Sequence, residues 1–163
     1  MKTGIAIDIP GYGLRQIHTM LSDYTGTLAR GGRVEAPVRE LLAQLTDTLD
    51  IHIVTADTFG TAAHELQGLS LHCHRLEGDH HDRQKQEYGE RLGLERCVVL
   101  GNGNNDCLLL QAAQEAGGLA IAVDNGEGCA TAALLRSDLF IVGAVNALTL
   151  LLEPNGCKAT LRR

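Results

Sequence analysis

The stretch LSDYTGTLARGG, residues 21–32, ends an apolar run on a single carboxylate, Asp23, and then turns at once through Thr25, Gly26 and Thr27. A charge at the mouth of a strand, followed by small flexible residues, suits a solvated turn or the seat of a nucleophile. Its surroundings decide between them. Upstream, GIAIDI and RQIHTML flank the turn signal PGYG and read as a hairpin leading into the first main strand. Downstream, APVRELLAQLTDTL has helical spacing and DIHIVTA reads as a strand.

The alternation then continues. FGTAAHELQGL is helical, LSLHCHRL holds a short strand, RQKQEYGERLG is an amphipathic helix and RCVVLG a buried strand. DCLLLQAAQEAG is a helix closed by Gly117 and Gly118, LAIAV a strand, and CATAALL a helix. The strand LFIV and a last helix, AVNALTLLL, complete the pattern. Such alternation predicts an α/β fold: a three-layer, Rossmann-like parallel sheet with helices on both faces, preceded by a small N-terminal β-hairpin. No linker, repeat or low-complexity segment interrupts it, so residues 1–163 are expected to form one domain.

Composition narrows the function. Hydrophobic residues make up 44% and charged ones 21%, as in a soluble globular protein, and with 3% aromatics the core must rest on Leu, Ile, Val and Ala. A net charge of -6 argues against nucleic-acid binding, and no apolar run is long enough to span a bilayer. The five cysteines, Cys73, Cys97, Cys107, Cys129 and Cys157, are scattered and odd in number, which predicts reduced thiols and a cytoplasmic location.

In a parallel sheet, ligands bind at the carboxyl ends of the strands. There the sequence places Asp23 and Thr25, then Thr55 and Asp57, then GNGNND, residues 101–106. Singly, Asp23 suits a turn, and Thr55, Asp57, Asn105 or Asp106 suits a helix cap. Together they place several polar clusters on one sheet edge. GNGNND holds more polar side chains than a cap needs, and such a loop can offer oxygen ligands to a small hard cation. Between the first strand and the C-terminal tail the only lysine is Lys85, either a solvated helix residue or a point charge for a phosphate or carboxylate.

DYTGT, TAD, Lys85 and GNGNND, in that order, resemble the four motifs of the haloacid dehalogenase (HAD) superfamily. The first is similar to the DKTGT of P-type ATPase phosphorylation domains, and the chain looks most like the small soluble members of that type. The resemblance runs from about residue 15 to residue 152. It implies a hydrolase in which Asp23 takes a phosphoryl group, Thr55 binds the phosphoryl oxygens, and Lys85 stabilises the shared charge. It further implies Mg²⁺ held by Asp23, the Thr25 carbonyl, Asn102 and Asp106, directly or through water. Thr25, Gly26, Ala56 and Asn105 would line the phosphate or substrate site, with Thr27 supporting the loop. The expected activity is phosphomonoester hydrolysis on a small phosphorylated substrate or a phosphoprotein.

Two departures stand out. Thr25 occupies the position where the superfamily's phosphatases carry a second Asp as general acid and base, and Asn102 stands for a metal-binding Asp. Both favour an alternative: a non-catalytic or very slow module that binds phosphate or a protein partner. Only about one helix of chain, residues 30–50, separates the first motif from the second strand, which leaves no room for a nucleotide domain or a sizeable cap. An open site of this kind implies either a large substrate or, the favoured reading, a homo-oligomer in which a neighbouring subunit covers it. Finally, LHCHRLEGDHHD gathers His72, Cys73, His74, Asp79, His80, His81 and Asp82. It matches no standard zinc spacing and reads either as a solvated loop or as a rim that touches substrate.

Overall fold

Thr19 to Ser22 is short, but it lies at the centre of the architecture. In the computed structural model, which describes residues 1–163, β1 (Ile5–Ile9) and β2 (Gly13–Ile17) pair antiparallel as a separate two-stranded sheet. The chain breaks at His18 and enters the main sheet as β3 (Thr19–Ser22). There follow α1 (Ala36–Leu45), β4 (Asp50–Thr55), a four-residue α2 (Ala62–Glu65), β5 (His72–Arg75) and α3 (His81–Leu92). Next come β6 (Cys97–Gly101), α4 (Cys107–Ala116), β7 (Leu119–Asp124), α5 (Thr131–Leu135), β8 (Leu139–Val142), α6 (Ala144–Leu152) and α7 (Asn155–Leu161).

The six main strands run in the order β5-β4-β3-β6-β7-β8, and every neighbouring pair is parallel. Strands that follow β3 up to β5 stack on one side, and those from β6 onward stack on the other. The order therefore reverses between β3 and β6, and the carboxyl ends of those two strands open the crevice where α/β sheets bind ligands. The α/β layering expected from the sequence is the observed one, with the hairpin set apart.

Two helical readings change. The helix expected over residues 59–69 shrinks to α2, because Gln67 and Gly68 offer no apolar face to continue it and turn away instead. AVNALTLLL is not the last helix. Residues 155–161 form α7, whose Cys157 is buried and which packs with Leu161 against the hairpin side of the core. Its sequence, NGCKATL, carries too short an apolar stripe to announce a helix without that neighbour.

The two faces of the sheet differ. Alternation sends Met20, Val98, Leu100, Leu119, Ile121 and Val123 into a cluster of 26 buried residues on the α1, α6 and hairpin side. Leu21, Cys97, Val99 and Ala120 point into a cluster of only 12 on the α3 and α4 side. The second face is thus built from smaller residues, and its helices lie close. α3, HDRQKQEYGERL, has a thin apolar stripe: Tyr88 and Leu92 pack half-buried against the smaller cluster, and its fully buried residues are Lys85 and Gly89, one turn apart on the same face. A Cβ on Gly89 would lie 2.5 Å from Leu109 Cδ1 and 2.8 Å from Leu94 Cδ2. The missing side chain lets α3 sit near enough for Lys85 to reach past the sheet edge.

Gly89→Val is therefore expected to lower stability by about 1–3 kcal/mol through overpacking, read by urea denaturation. Unchanged stability would mean that α3 does not depend on this close approach.

Candidate active site

β3 and β6 set the spacing of the site. Ser22 pairs with Leu100, and the Asp23 amide donates to the Leu100 carbonyl at 3.0 Å, so the two strand exits are locked side by side. Beyond β3 the chain wraps around one atom. The Tyr24 carbonyl accepts the amides of Thr27, Leu28 and Ala29 at 3.3, 3.0 and 2.9 Å. Gly26 makes the turn possible with φ 76, in the left-handed region, and any Cβ there would collide with the Asn102 amide. Tyr24 is fully buried, and its hydroxyl donates to the Gly32 carbonyl at 2.8 Å, pinning the loop's far end.

At the centre lies Lys85. Its ammonium donates to Asp23 Oδ1 at 2.8 Å and to Asp106 Oδ1 at 2.7 Å, and it is 1% exposed. Asp106 is equally buried; its Oδ2 accepts the amides of Asn102 and Gly103, both at 3.0 Å. The Thr27 hydroxyl lies 3.3 Å from Asp23 Oδ2 and 3.1 Å from Asn102 Oδ1, and so joins the two loops. Thr55, at the end of β4, is buried, and its Oγ1 accepts the Asp57 amide at 2.9 Å, which leaves its own proton free to donate. Ala56 follows it, half-buried. Asp57 sits at φ 51, and its Oδ1 accepts the Thr61 and Ala62 amides, so it caps α2.

The structure thus brings Asp23, Lys85, Asp106, Thr27 and Asn102 into one bonded cluster, with Thr55 and Ala56 on the adjoining strand exit. Asn105 lies exposed in a short 3-10 turn, Asn104–Asp106, beside the cluster and not bonded to it. The loop after β7 carries no specificity signature in its sequence, yet it is part of the site. The Asn102 side-chain amide donates to the Gly128 carbonyl at 3.2 Å, and the Asn102 carbonyl accepts the Ala130 amide at 2.7 Å. The Asn125 amide donates to the Gly26 carbonyl at 3.2 Å. This loop therefore orients Asn102 with its Oδ1 turned towards Thr27 and Asp23. DNGEG at a strand's carboxyl end was the available signal.

The histidine-rich stretch is split by the fold. His72, Cys73 and His74 lie on edge strand β5, with Cys73 on the opposite face from the two histidines. His80, His81 and Asp82 start α3 and line an open cavity of about 490 Å³ with Asn104 and Asn105, at the rim beside the fourth motif. All five cysteines are unpaired, and burial pushes the Cys97 thiol up to about 12 and the Cys157 thiol up to about 11.

Charge decides the chemistry here. Two buried carboxylates share one ammonium, so the cluster carries an uncompensated negative charge. Burial, and then the Asp106 carboxylate, push Asp23 up to about 6, against the pull of Lys85. Burial alone would lower Lys85, but Asp106 and Asp23 outweigh it and raise the ammonium above the ordinary lysine range. The Thr25 hydroxyl is buried without a partner. An all-oxygen donor set with one negative charge to spare and an orphaned hydroxyl beside it fits a hard divalent cation.

Two stability effects follow from these shifts. Asp23 binds its proton more tightly folded than unfolded, so its ionisation weakens the fold as pH rises from about 4 to above 6. Without divalent cations, Asp23→Asn is therefore expected to be more stable than wild type at pH 8, by about 2 kcal/mol, with the gap closing towards pH 4. Lys85→Met strands both carboxylates and should cost about 3–5 kcal/mol at pH 8. That cost shrinks at pH 5 as Asp23 takes up its proton. Thermal or chemical denaturation across this pH range checks both; a pH-independent difference would reject the charge argument.

No family model matches the chain. The uncharacterized protein MJ0073 of Methanocaldococcus jannaschii is 42% identical over 67 residues, which is 41% of this chain and 68% of that protein. A Legionella pneumophila protein assigned to the HAD superfamily (subfamily III A) superposes with a TM-score of 0.66 at 17% identity, over 89% of this chain and 87% of the other. The 3-deoxy-D-manno-octulosonate 8-phosphate phosphatase of Moraxella catarrhalis, in complex with magnesium ion, phosphate ion and KDO, gives 0.60 at 17% identity, over 90% and 94%. The chain thus belongs to one family with the Methanocaldococcus protein, and its fold is that of the HAD hydrolases.

Proposed function

We propose that this chain is a Mg²⁺-dependent phosphohydrolase that cleaves phosphomonoesters through an aspartyl-phosphate on Asp23. The observation that carries this reading is the buried Lys85 ammonium held between Asp23 and Asp106 at the reversal point of the sheet. A lysine kept charged at such a site is suited to the charge that builds on a transferring phosphoryl group. The HAD-like fold, shared with phosphatases, supports the same chemistry.

In the first step an Asp23 oxygen attacks phosphorus, the bond from phosphorus to the ester oxygen breaks, and the departing alkoxide takes a proton from water. Water then attacks the aspartyl-phosphate, inorganic phosphate leaves and the carboxylate is restored. Lys85 holds Asp23 in place and draws charge from the phosphoryl oxygens, while the Thr55 hydroxyl donates to one of them. Gly26, Ala56 and Asn105 complete the wall around the phosphate. Asp23, the Thr25 carbonyl and Asn102 Oδ1 would hold Mg²⁺, which when bound offsets the negative charge of phosphate and carboxylates. Asp106, whose oxygens already accept from Lys85 and two amides, would act on the cation through water.

The substrate is a small phosphorylated molecule or a phosphoprotein, entering a unit of residues 1–163 without a sizeable cap. A neighbouring subunit covering the opening belongs to the same proposal, supported by the apolar Leu135, Phe140 and Val142 exposed on and beside edge strand β8. A cytoplasmic setting is supported by the five free thiols. A second reading, a phosphate- or protein-binding module with very slow turnover, is favoured by Thr25, which puts no carboxyl two residues after Asp23. Lack of a positioned acid and base typically removes about 10²–10⁴-fold in rate.

The test is hydrolysis of p-nitrophenyl phosphate and a panel of phosphorylated metabolites, with Mg²⁺ or EDTA. Wild type is expected to turn over only with Mg²⁺, and Asp23→Asn to fall to background. The rate should drop as pH falls below about 6, where Asp23 takes up its proton, with a bound cation moving that limb lower. Equal activity in Asp23→Asn overturns the nucleophile assignment. Beryllofluoride binding that needs Asp23, with no turnover, selects the second reading. Asn102→Asp restores a carboxylate and is expected to tighten Mg²⁺; weaker metal dependence would remove Asn102 from the metal site.

A further inference from the structure

At the opposite end of the sheet, Asp50, His52 and His72 converge. Parallel register places them: Asp50 and His52 are two residues apart on β4 and share a face, and His72 of β5 pairs directly with His52. Asp50 begins β4 and Thr55 ends it, so by strand rise Asp50 lies about 16 Å and His52 about 10 Å from Thr55 of the phosphoryl site. The cluster shares no residue with that site.

His52 Nε2 lies 3.2 Å from Asp50 Oδ2, and His72 Nε2 lies 3.3 Å from Asp50 Oδ1. The three ligand atoms are all within 4.8 Å of one another. Bonds of about 2.0–2.1 Å from a tetrahedral Zn²⁺ to imidazole nitrogen and carboxylate oxygen put neighbouring ligands about 3.3 Å apart. Each imidazole already stands at that separation from the carboxylate but from a different oxygen of it, so Asp50 ligates through both oxygens or turns one towards both rings. The two imidazoles stack, with centroids 4.4 Å apart and planes 21° from parallel, so one ring must turn to aim its lone pair. His72 is free to do so, since its side chain is 61% exposed, whereas that of His52 is 9% exposed and anchored.

The anchor is Tyr88 on α3, whose hydroxyl lies 2.8 Å from His52 Nδ1, while His74 stacks on the Tyr88 ring at 5.0 Å. A metal-ligating histidine characteristically holds its second nitrogen against such an outer partner. With the cation bound, neutral His52 carries its proton on Nδ1 and donates it to the Tyr88 oxygen, which leaves Nε2 to ligate. His72 ligates through Nε2, the nitrogen that already faces Asp50. Two imidazoles and one carboxylate suit Zn²⁺ and its first-row neighbours rather than Mg²⁺.

We propose that Asp50, His52 and His72 form a binding site for a Zn²⁺-class divalent cation, with water in the outward position, that clamps edge strand β5 to β4 under Tyr88 of α3. It is separate from the phosphoryl site and does not depend on the function proposed for it.

The experiment is Zn²⁺ titration of chelator-stripped protein against a chromophoric competitor, run in the Asp23→Asn background so that the phosphoryl site contributes little. One equivalent is expected to bind, with a rise in thermal midpoint. His72→Ala and Asp50→Asn should each weaken binding at least about tenfold, and Tyr88→Phe should weaken it measurably. His80→Ala, on the rim loop, is the control and should leave binding unchanged. Circular dichroism confirms that each variant folds; His72, being exposed, is the variant least able to disturb the core. No stoichiometric binding, binding unchanged in His72→Ala, or binding lost in His80→Ala would each overturn the proposal.

Discussion

A lysine ammonium buried between two carboxylates organises this protein. Lys85 belongs to a helix whose apolar residues, Tyr88 and Leu92, are only half-buried, and it supplies that helix's principal buried contact, reaching Asp23 after β3 and Asp106 after β6. Burying such charges is costly, and the cost is offset only while the ammonium is present to face the carboxylates and their outer oxygens stay hydrogen-bonded. Asp106 meets that condition with two backbone amides and Asp23 with the Thr27 hydroxyl. One interaction therefore docks α3, ties the two central strand exits and creates an excess of negative charge where a cation is wanted.

The rest of the fold serves this geometry. The reversal between β3 and β6 sets two strand ends side by side with no strand crossing the gap. Small residues on the α3 and α4 face, Ala120 in β7 and Gly89 in α3 among them, let the helix come close enough for a lysine to span the distance. The loop after β7 then closes the third side, turning Asn102 so that its oxygen, not its amide, faces Asp23. Each step is a packing or hydrogen-bonding consequence of the one before.

Much of this was legible in the chain. Period-two apolar runs separated by period-3.6 segments mark the sheet and most helices, and the polar residues that follow β3, β4 and β6 mark the binding edge. The short elements were not legible. α2 and α7 depend on neighbours rather than on their own periodicity, and α3, amphipathic as expected, buries Lys85 and Gly89 more deeply than its apolar Tyr88 and Leu92. Asn102 stood out as a substitution, but nothing local indicated that Gly128 and Ala130 would set its orientation. The histidine stretch looked like one cluster, whereas strand alternation sends His72 to Asp50 and His52, and the chain's next turn carries His80 and His81 to the rim.

By itself the sequence determined the alternation of strands and helices and the order of the chemically able side chains, because both are written in local periodicity and residue type. Only the tertiary structure decided which of those side chains meet. Lys85 lies 62 residues from Asp23 and 21 from Asp106, and His72 lies 20 from its partner in register, separations across which no local pattern carries information. The stretch at residues 21–32 shows both halves: its turn is fixed by Gly26 and the Tyr24 carbonyl, but the ionisation of Asp23 is set by burial and by two residues from elsewhere in the chain.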